Sequence, residues 1–173
     1  MNTLKDICLY LVSNYPAKSI SNARLTKMVY LADWKCALHY PKQMTEIEWY
    51  FDTYGPFVWD IEEMAKKNPD TFEIKVLPNP MNDTGITRTI ALSKMEVLPK
   101  VSRPAESILD HVLAKTAGLS WSEFIKLVYS TYPVAKSEQF KILDLVTSAA
   151  DYKLTEMWKQ SSAVPYGHKA PGL

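Results

Sequence analysis

Few residues in this chain could carry chemistry, and most stand apart. Nucleophilic catalysis needs a serine or cysteine beside a histidine base, yet His39, His111 and His168 are far apart, each inside a helical pattern or in the loose C-terminal stretch. No elbow motif surrounds any serine. A metal site would need clustered ligands, and the sequence has no C-x-x-C, H-x-x-x-H or H-E-x-x-H. Only 5 glycines occur, with neither G-x-G-x-x-G nor G-x-x-x-x-G-K-[ST], so a phosphate-cradling loop is hard to build. The expectation is no catalytic group, no metal and no cofactor.

Three charged groups remain to be weighed. Asp33 falls between Val29 and Ala37 on the wall of a helix that should be buried, and a buried carboxylate must be paired or hydrogen-bonded. The structural reading is an ion pair or cap that positions the Tyr54-Gly55-Pro56 turn; the chemical reading is a perturbed general base in a cleft. Glu46 and Glu48 share a strand face with Asp52 near by, which alternation in a half-solvated strand explains more simply than acid-base work. Lys18, Arg24 and Lys27 offer a small phosphate-binding corner, or simply a solvated helix start.

The elements that must position these groups centre on Ser21 to Val58. From Leu25, apolar side chains fall on nearly every side of a helix, with Ser21 as N-cap and Pro41 as stop. Thr45 to Phe51 alternates, Ile47, Trp49 and Phe51 against Glu46, Glu48 and Tyr50, as a half-buried strand does. Tyr54-Gly55-Pro56-Phe57 then reads as a turn feeding a helix over 57–67. Ahead of this, Asn2 or Thr3 caps a helix with Leu4, Ile7, Cys8, Leu11 and Val12 in one stripe, ended by Tyr15-Pro16.

Further strands over 72–77 and 87–92 are joined by PNPMNDTGI, a long hairpin link. With Thr45 to Phe51 they make an antiparallel sheet of about three strands. Ser102 caps a helix with Ala105, Ile108, Leu109, Val112 and Leu113 inward, and Ser120 with Glu123 forms a capping box for another with Trp121, Phe124, Ile125 and Val128. A last helix is expected over 140–158, burying Ile142, Leu145, Val146, Ala149, Leu154 and Met157. The fold class is therefore α+β, a mainly helical domain over 1–160 around a buried central helix, with a flexible tail over 161–173.

Bulk properties agree with one globular domain: 173 residues, 47% apolar, long enough for a real core. A net charge of +1 argues against a broad footprint for nucleic acid or anionic membrane. No apolar run reaches the length of a membrane span, and the N-terminus, with Lys5 and Asp6 in a helical pattern, does not read as a signal peptide. Cys8 and Cys36 sit on helical core faces, which suits a reduced cytoplasmic protein.

The order of these signals resembles a known family. L-T-K-M-V-Y-L-A-D-W at Leu25 to Trp34, then Thr45 with its alternating strand, then Y-G-P-F-V at Tyr54 to Val58, is similar to the Panacea domain of SocA-like antitoxins, a family also seen in phage-associated proteins. The likeness covers roughly Leu4 to Lys67 and picks out Lys27, Asp33, Thr45, Gly55 and Pro56 as motif positions. Downstream, Ser130-Thr131-Tyr132-Pro133 stands where many members carry threonine-histidine and then proline-tryptophan. Here Tyr132 replaces the histidine and Val134-Ala135 follow the proline, so no role of that histidine carries over.

The resemblance implies a non-enzymatic antitoxin of a toxin–antitoxin system. It would neutralise a toxin encoded nearby through direct contact; some members look like adaptors that hand the toxin to a protease or chaperone. Members often carry an N-terminal DNA-binding module, which a first helix starting at about Thr3 is expected to omit. The contact surface is expected around the strand and turn, at Trp49, Tyr50, Tyr54, Phe57 and Trp59, since buried aromatics dominate interface energy. For Trp49 and Tyr54 ordinary core packing is an equal reading. The competing function is a small-ligand protein or enzyme using a pocket near Asp33.

Overall fold

Helix α2 (Asn22–His39) is buried on nearly every side, and the other elements are laid around it. The computed structural model describes residues 3–79, 85–93 and 97–162. Ser21 caps α2 by accepting a bond from the Arg24 N–H at 3.3 Å. Buried positions then follow one another from Leu25 to Trp34, a pattern that only a helix enclosed by neighbours tolerates. Those neighbours are α1 (Leu4–Asn14), α3 (Asp60–Lys67), α4 (Arg103–Thr116) and α7 (Leu145–Ser162).

The caps follow the sequence closely. Thr3 Oγ1 accepts from the Asp6 N–H, and the capping box of Ser120 and Glu123 opens α5 (Trp121–Tyr129) with both of its bonds present. In α4 the whole expected stripe, Ala105, Ile108, Leu109, Val112 and Leu113, is buried. Cys8 and Cys36 are free and buried, and burial pushes the Cys8 thiol far above its ordinary range.

The class is α+β with small antiparallel sheets, and the strands divide between two of them. One has the order β1-β5-β4, from β1 (Ser19–Ser21), β4 (Phe72–Pro78) and β5 (Ile86–Leu92), with Ile20 opposite Ile90 and Ile74 opposite Ile90. The middle of the link between β4 and β5, residues 80–84, lies outside the described residues. The other has the order β3-β2-β6, from β2 (Trp49–Asp52), β3 (Gly55–Phe57) and β6 (Ile142–Leu143). The expected grouping of the Trp49 strand with the other two therefore gives way to local pairing: a two-residue loop folds β2 directly onto β3, with Asp52 opposite Gly55.

Three further expectations change for related reasons. Gly55-Pro56-Phe57 forms an edge strand instead of entering a helix, and α3 begins only at Asp60; an edge is where a sheet accepts proline. Past α5, Tyr132–Lys136 adds a short helix, α6, with Pro133 in its first turn. The last helix starts at Leu145, because Asp144 caps it through the Thr147 N–H at 2.9 Å while Phe140 and Lys141 bond the backbone of Phe51. Of its expected core residues only Leu145 and Ala149 are buried; Ile142, Val146, Leu154 and Met157 are exposed. Helix α7 runs to Ser162, two residues into the stretch expected to be a flexible tail, and the rest of that stretch, residues 163–173, lies outside the described residues.

One buried contact joins the two halves of the chain. Tyr30 of α2 is fully enclosed and its hydroxyl lies 2.8 Å from Thr131 Oγ1. Thr131 spends its own proton on the Val128 carbonyl at 2.7 Å, so Tyr30 is the donor. Tyr30→Phe removes this bond and leaves the ring contacts, and should cost about 1 kcal/mol in urea unfolding. No loss beyond the noise of that measurement would mean that the hydroxyl contributes nothing to joining α2 with the α5–α6 junction.

Candidate functional site

The site is built outward from Asp33. Its carboxylate is fully buried in the middle of α2 and accepts from four donors: Met44 N–H at 2.9 Å, Thr45 N–H at 2.8 Å, Thr45 Oγ1 at 2.5 Å and Trp49 Nε1 at 2.8 Å. Among the described residues no cation pairs with it. Burial pushes its carboxyl above the ordinary range, while the bonds from Thr45, Trp49 and Met44 pull the other way. The group is thus the cap of the 44–45 turn and the anchor of Trp49. It fixes the start of β2, not the Tyr54-Gly55-Pro56 turn that the sequence suggests.

That turn is positioned by Lys27. Its side chain is 2% exposed, with Nζ 3.5 Å from the Pro56 carbonyl oxygen. Gly55 has φ +95°, and a Cβ there would stand 3.1 Å from Tyr129 Cε2 and 3.5 Å from Lys27 Cε. Glycine is therefore required by both backbone and space. Burial lowers the Lys27 ammonium to a pKa of about 8, against the opposing pull of Asp52.

With β2 held at both ends, alternation decides which side chains face out. Trp49 and Phe51 point inward; Trp49 stands edge-on to Tyr30, with ring centroids 5.5 Å apart, and Phe51 edge-on to Tyr129. Outward, Tyr50 pairs with Phe57 on one side and with Ile142 on the other, so the three form a row across the sheet. Phe57 carries the row on to Trp59, ring centroids 5.0 Å apart and nearly perpendicular. Trp59 is 60% exposed and Ile142 56%.

Of the five expected contact residues, Tyr50, Phe57 and Trp59 thus share one surface, and Tyr54 stands at the hairpin tip, 79% exposed. Trp49 is corrected: it is fully enclosed, bonded to Asp33, and offers a partner no surface. Ile142 was missed. The signal that could have found it is Asp144-x-x-Thr147, a helix cap that places Ile142 outside the last helix.

The remaining candidates disperse. Lys18 bonds the Ser13 carbonyl, Arg24 the carbonyls of Thr116 and Leu119, and Lys27 the Pro56 carbonyl, so no phosphate corner forms. Glu46 and Glu48 are exposed, and Asp52 is partly so. A cleft of about 540 Å³ borders the 42–46 loop, lined by Cys36, Tyr40, Met44, Thr45 and Ile108; Asp33 is not among its walls. His168 lies outside the described residues.

Two measurements test this construction. Asp33→Ala leaves the N–H groups of Met44, Thr45 and the fully enclosed Trp49 without their acceptor and should cost about 3 kcal/mol; an equilibrium unfolding loss under 1 kcal/mol would contradict it. For Lys27, the folded pKa of about 8 lies below the ordinary 10.5, so between these values the unfolded chain holds a proton that the folded one has shed. Stability therefore rises with pH through that window. Relative to Lys27→Met, the natural chain should gain about 2 kcal/mol between about pH 7.5 and about pH 9.5. Parallel stability curves for the two proteins would show that Lys27 titrates normally.

No curated protein and no solved structure matches the chain. A family model described as antitoxin SocA-like, Panacea domain, matches residues 25–133. That span holds Lys27, Asp33 with its Thr45 and Trp49 donors, the Gly55 turn, Tyr50, Phe57, Trp59 and the Tyr30–Thr131 contact, and it is well over half of the chain. With this span matched, the chain belongs to the SocA-like antitoxin family that is built on the Panacea domain.

Proposed function

We propose that this protein is the antitoxin of a toxin–antitoxin system, and that it neutralises a cognate toxin encoded nearby by direct protein–protein binding. The observation that carries the reading is the outward row of Ile142, Tyr50 and Phe57 with Trp59 beside it. A soluble domain gains nothing in its own core from three large apolar side chains set side by side on a small sheet with a fourth packed against them. Such a patch is what a partner covers. Residues 1–160 act in this reading as one cytoplasmic antitoxin domain, with Tyr54 at the rim of the contact.

The role is binding, not catalysis. Every described bond of Asp33 comes from a donor of its own fold, which leaves this carboxylate no substrate proton to take. Neutralisation can end at the complex or continue through a protease or chaperone that receives the toxin. Both routes begin with the same contact.

Co-expression with the adjacent small open reading frame should rescue growth and give a complex that co-purifies on a tag carried by this chain. Tyr50→Ala and Trp59→Ala should each weaken that complex about ten-fold or more, with unchanged melting temperature, because neither side chain is enclosed by the fold. Folded variants that protect cells as well as the parent does would place the contact elsewhere. A toxic neighbour that is neither bound nor rescued would remove the antitoxin reading itself.

A further inference from the structure

Beside the aromatic row, Phe57 and Trp59 also form one wall of a second cleft, of about 600 Å³. Its other walls come from the start of α2, from Glu62 of α3, from Asn79 and β5 and from the start of α5, and they bring in Asn22, Arg24, Arg88 and Trp121. Three properties of this cleft point the same way.

The first is an excess of positive charge. Glu62, nearly fully buried, bonds Lys66 at 2.6 Å and Arg88 at 3.4 Å, so one carboxylate serves two cations. Arg24 has no carboxylate partner among the described residues. It spends one N–H of each terminal nitrogen on the Thr116 and Leu119 carbonyls and keeps its other donors. Its guanidinium lies 4.6 Å from the Phe124 ring centroid and 5.9 Å from that of Trp121, which holds the charge in place. The second property is that the carboxylate in this wall is fully engaged. Asn22, 8% exposed, turns its Nδ2 to Glu62 at 3.4 Å, so Glu62 is held by a third donor beside its two cations. A flipped amide would set oxygen against the carboxylate. The third is the pairing of tryptophan with arginine, the side chains that contribute most at protein interfaces.

The geometry points to this cleft as the seat of an acidic segment of the partner protein, its carboxylates on Arg88 and Arg24, and Trp59 and Trp121 covering its apolar atoms. The inference rests on the partner-binding reading above and continues the same surface through Phe57 and Trp59. A protein segment fits better than a nucleic acid, since the chain's net charge of +1 supplies no extended track for phosphates.

The test needs no toxin. The indole N–H signals of Trp59 and Trp121, assigned with tryptophan-to-phenylalanine variants, are followed by NMR while a capped hexaglutamate peptide is added. Both should shift saturably, and capped hexaglutamine should leave them in place. Arg88→Ala should weaken the peptide about five-fold and Arg88→Lys should restore most of the loss. Its fold is protected because Glu62 keeps Lys66. Lys75→Ala removes an exposed charge outside the cleft and should change little. Absent shifts, equal shifts with the glutamine peptide, an equal loss in Lys75→Ala, or displacement of the peptide by a lower concentration of single-stranded oligonucleotide would each overturn the assignment. Growth rescue with no peptide binding refutes only this inference. Peptide binding without rescue refutes the toxin and leaves the cleft.

Discussion

A carboxylate buried with no counter-ion among the described residues is the constraint on which this structure turns. Asp33 is stable in the middle of α2 only because Met44, Thr45 and Trp49 bring donors to it, and those donors exist only when the chain after Pro41 doubles back along the helix. The bond network therefore specifies a loop path as well as a contact. It sets Trp49 inward, and strand alternation then forces Tyr50 outward. The position of the proposed contact face follows from an interaction on the opposite side of the sheet.

Lys27 does the same for the far end of the hairpin. Its stem lies under Gly55, its ammonium near the Pro56 carbonyl, and Tyr129 closes the space where a Cβ would be. Two charged side chains of a single helix thus clamp β2 and β3 at both ends. Each is costly to bury, and each is the kind of residue an apolar substitute could replace only by losing the path of the backbone it holds. A rigid hairpin presents its outer side chains with little ordering entropy left to lose on binding.

The helices were legible because their signals are local. Ser21, the Ser120 and Glu123 box, and the all-round apolar run of α2 each declare themselves within a few residues. Asp33 was legible as a problem, a charge on a buried wall, while its solution depended on which loop came back to meet it. The short strands were not legible. Ser19–Ser21 and Ile142–Leu143 are too brief for a period of two to show, and each is a strand only because a distant partner, β5 or β2, offers an edge. Ile142 and Leu145 are spaced as a helix would space them. The Asp144 cap between them decides the matter, and it is a polar signal inside an apolar pattern.

The two faces of the β2 sheet differ in what a substitution on them disturbs. Inward residues are tied to Asp33, Tyr30 and Tyr129, so a change at Trp49 or Phe51 disturbs the core. Outward residues Tyr50, Phe57 and Ile142 touch one another and solvent, and a change there alters the surface at small cost in stability. The third strand, with Ile142, lies beyond the family-matched span of residues 25–133. In the proposed reading, a clamp fixed inside and a row exposed outside separate what holds the fold from what meets the partner.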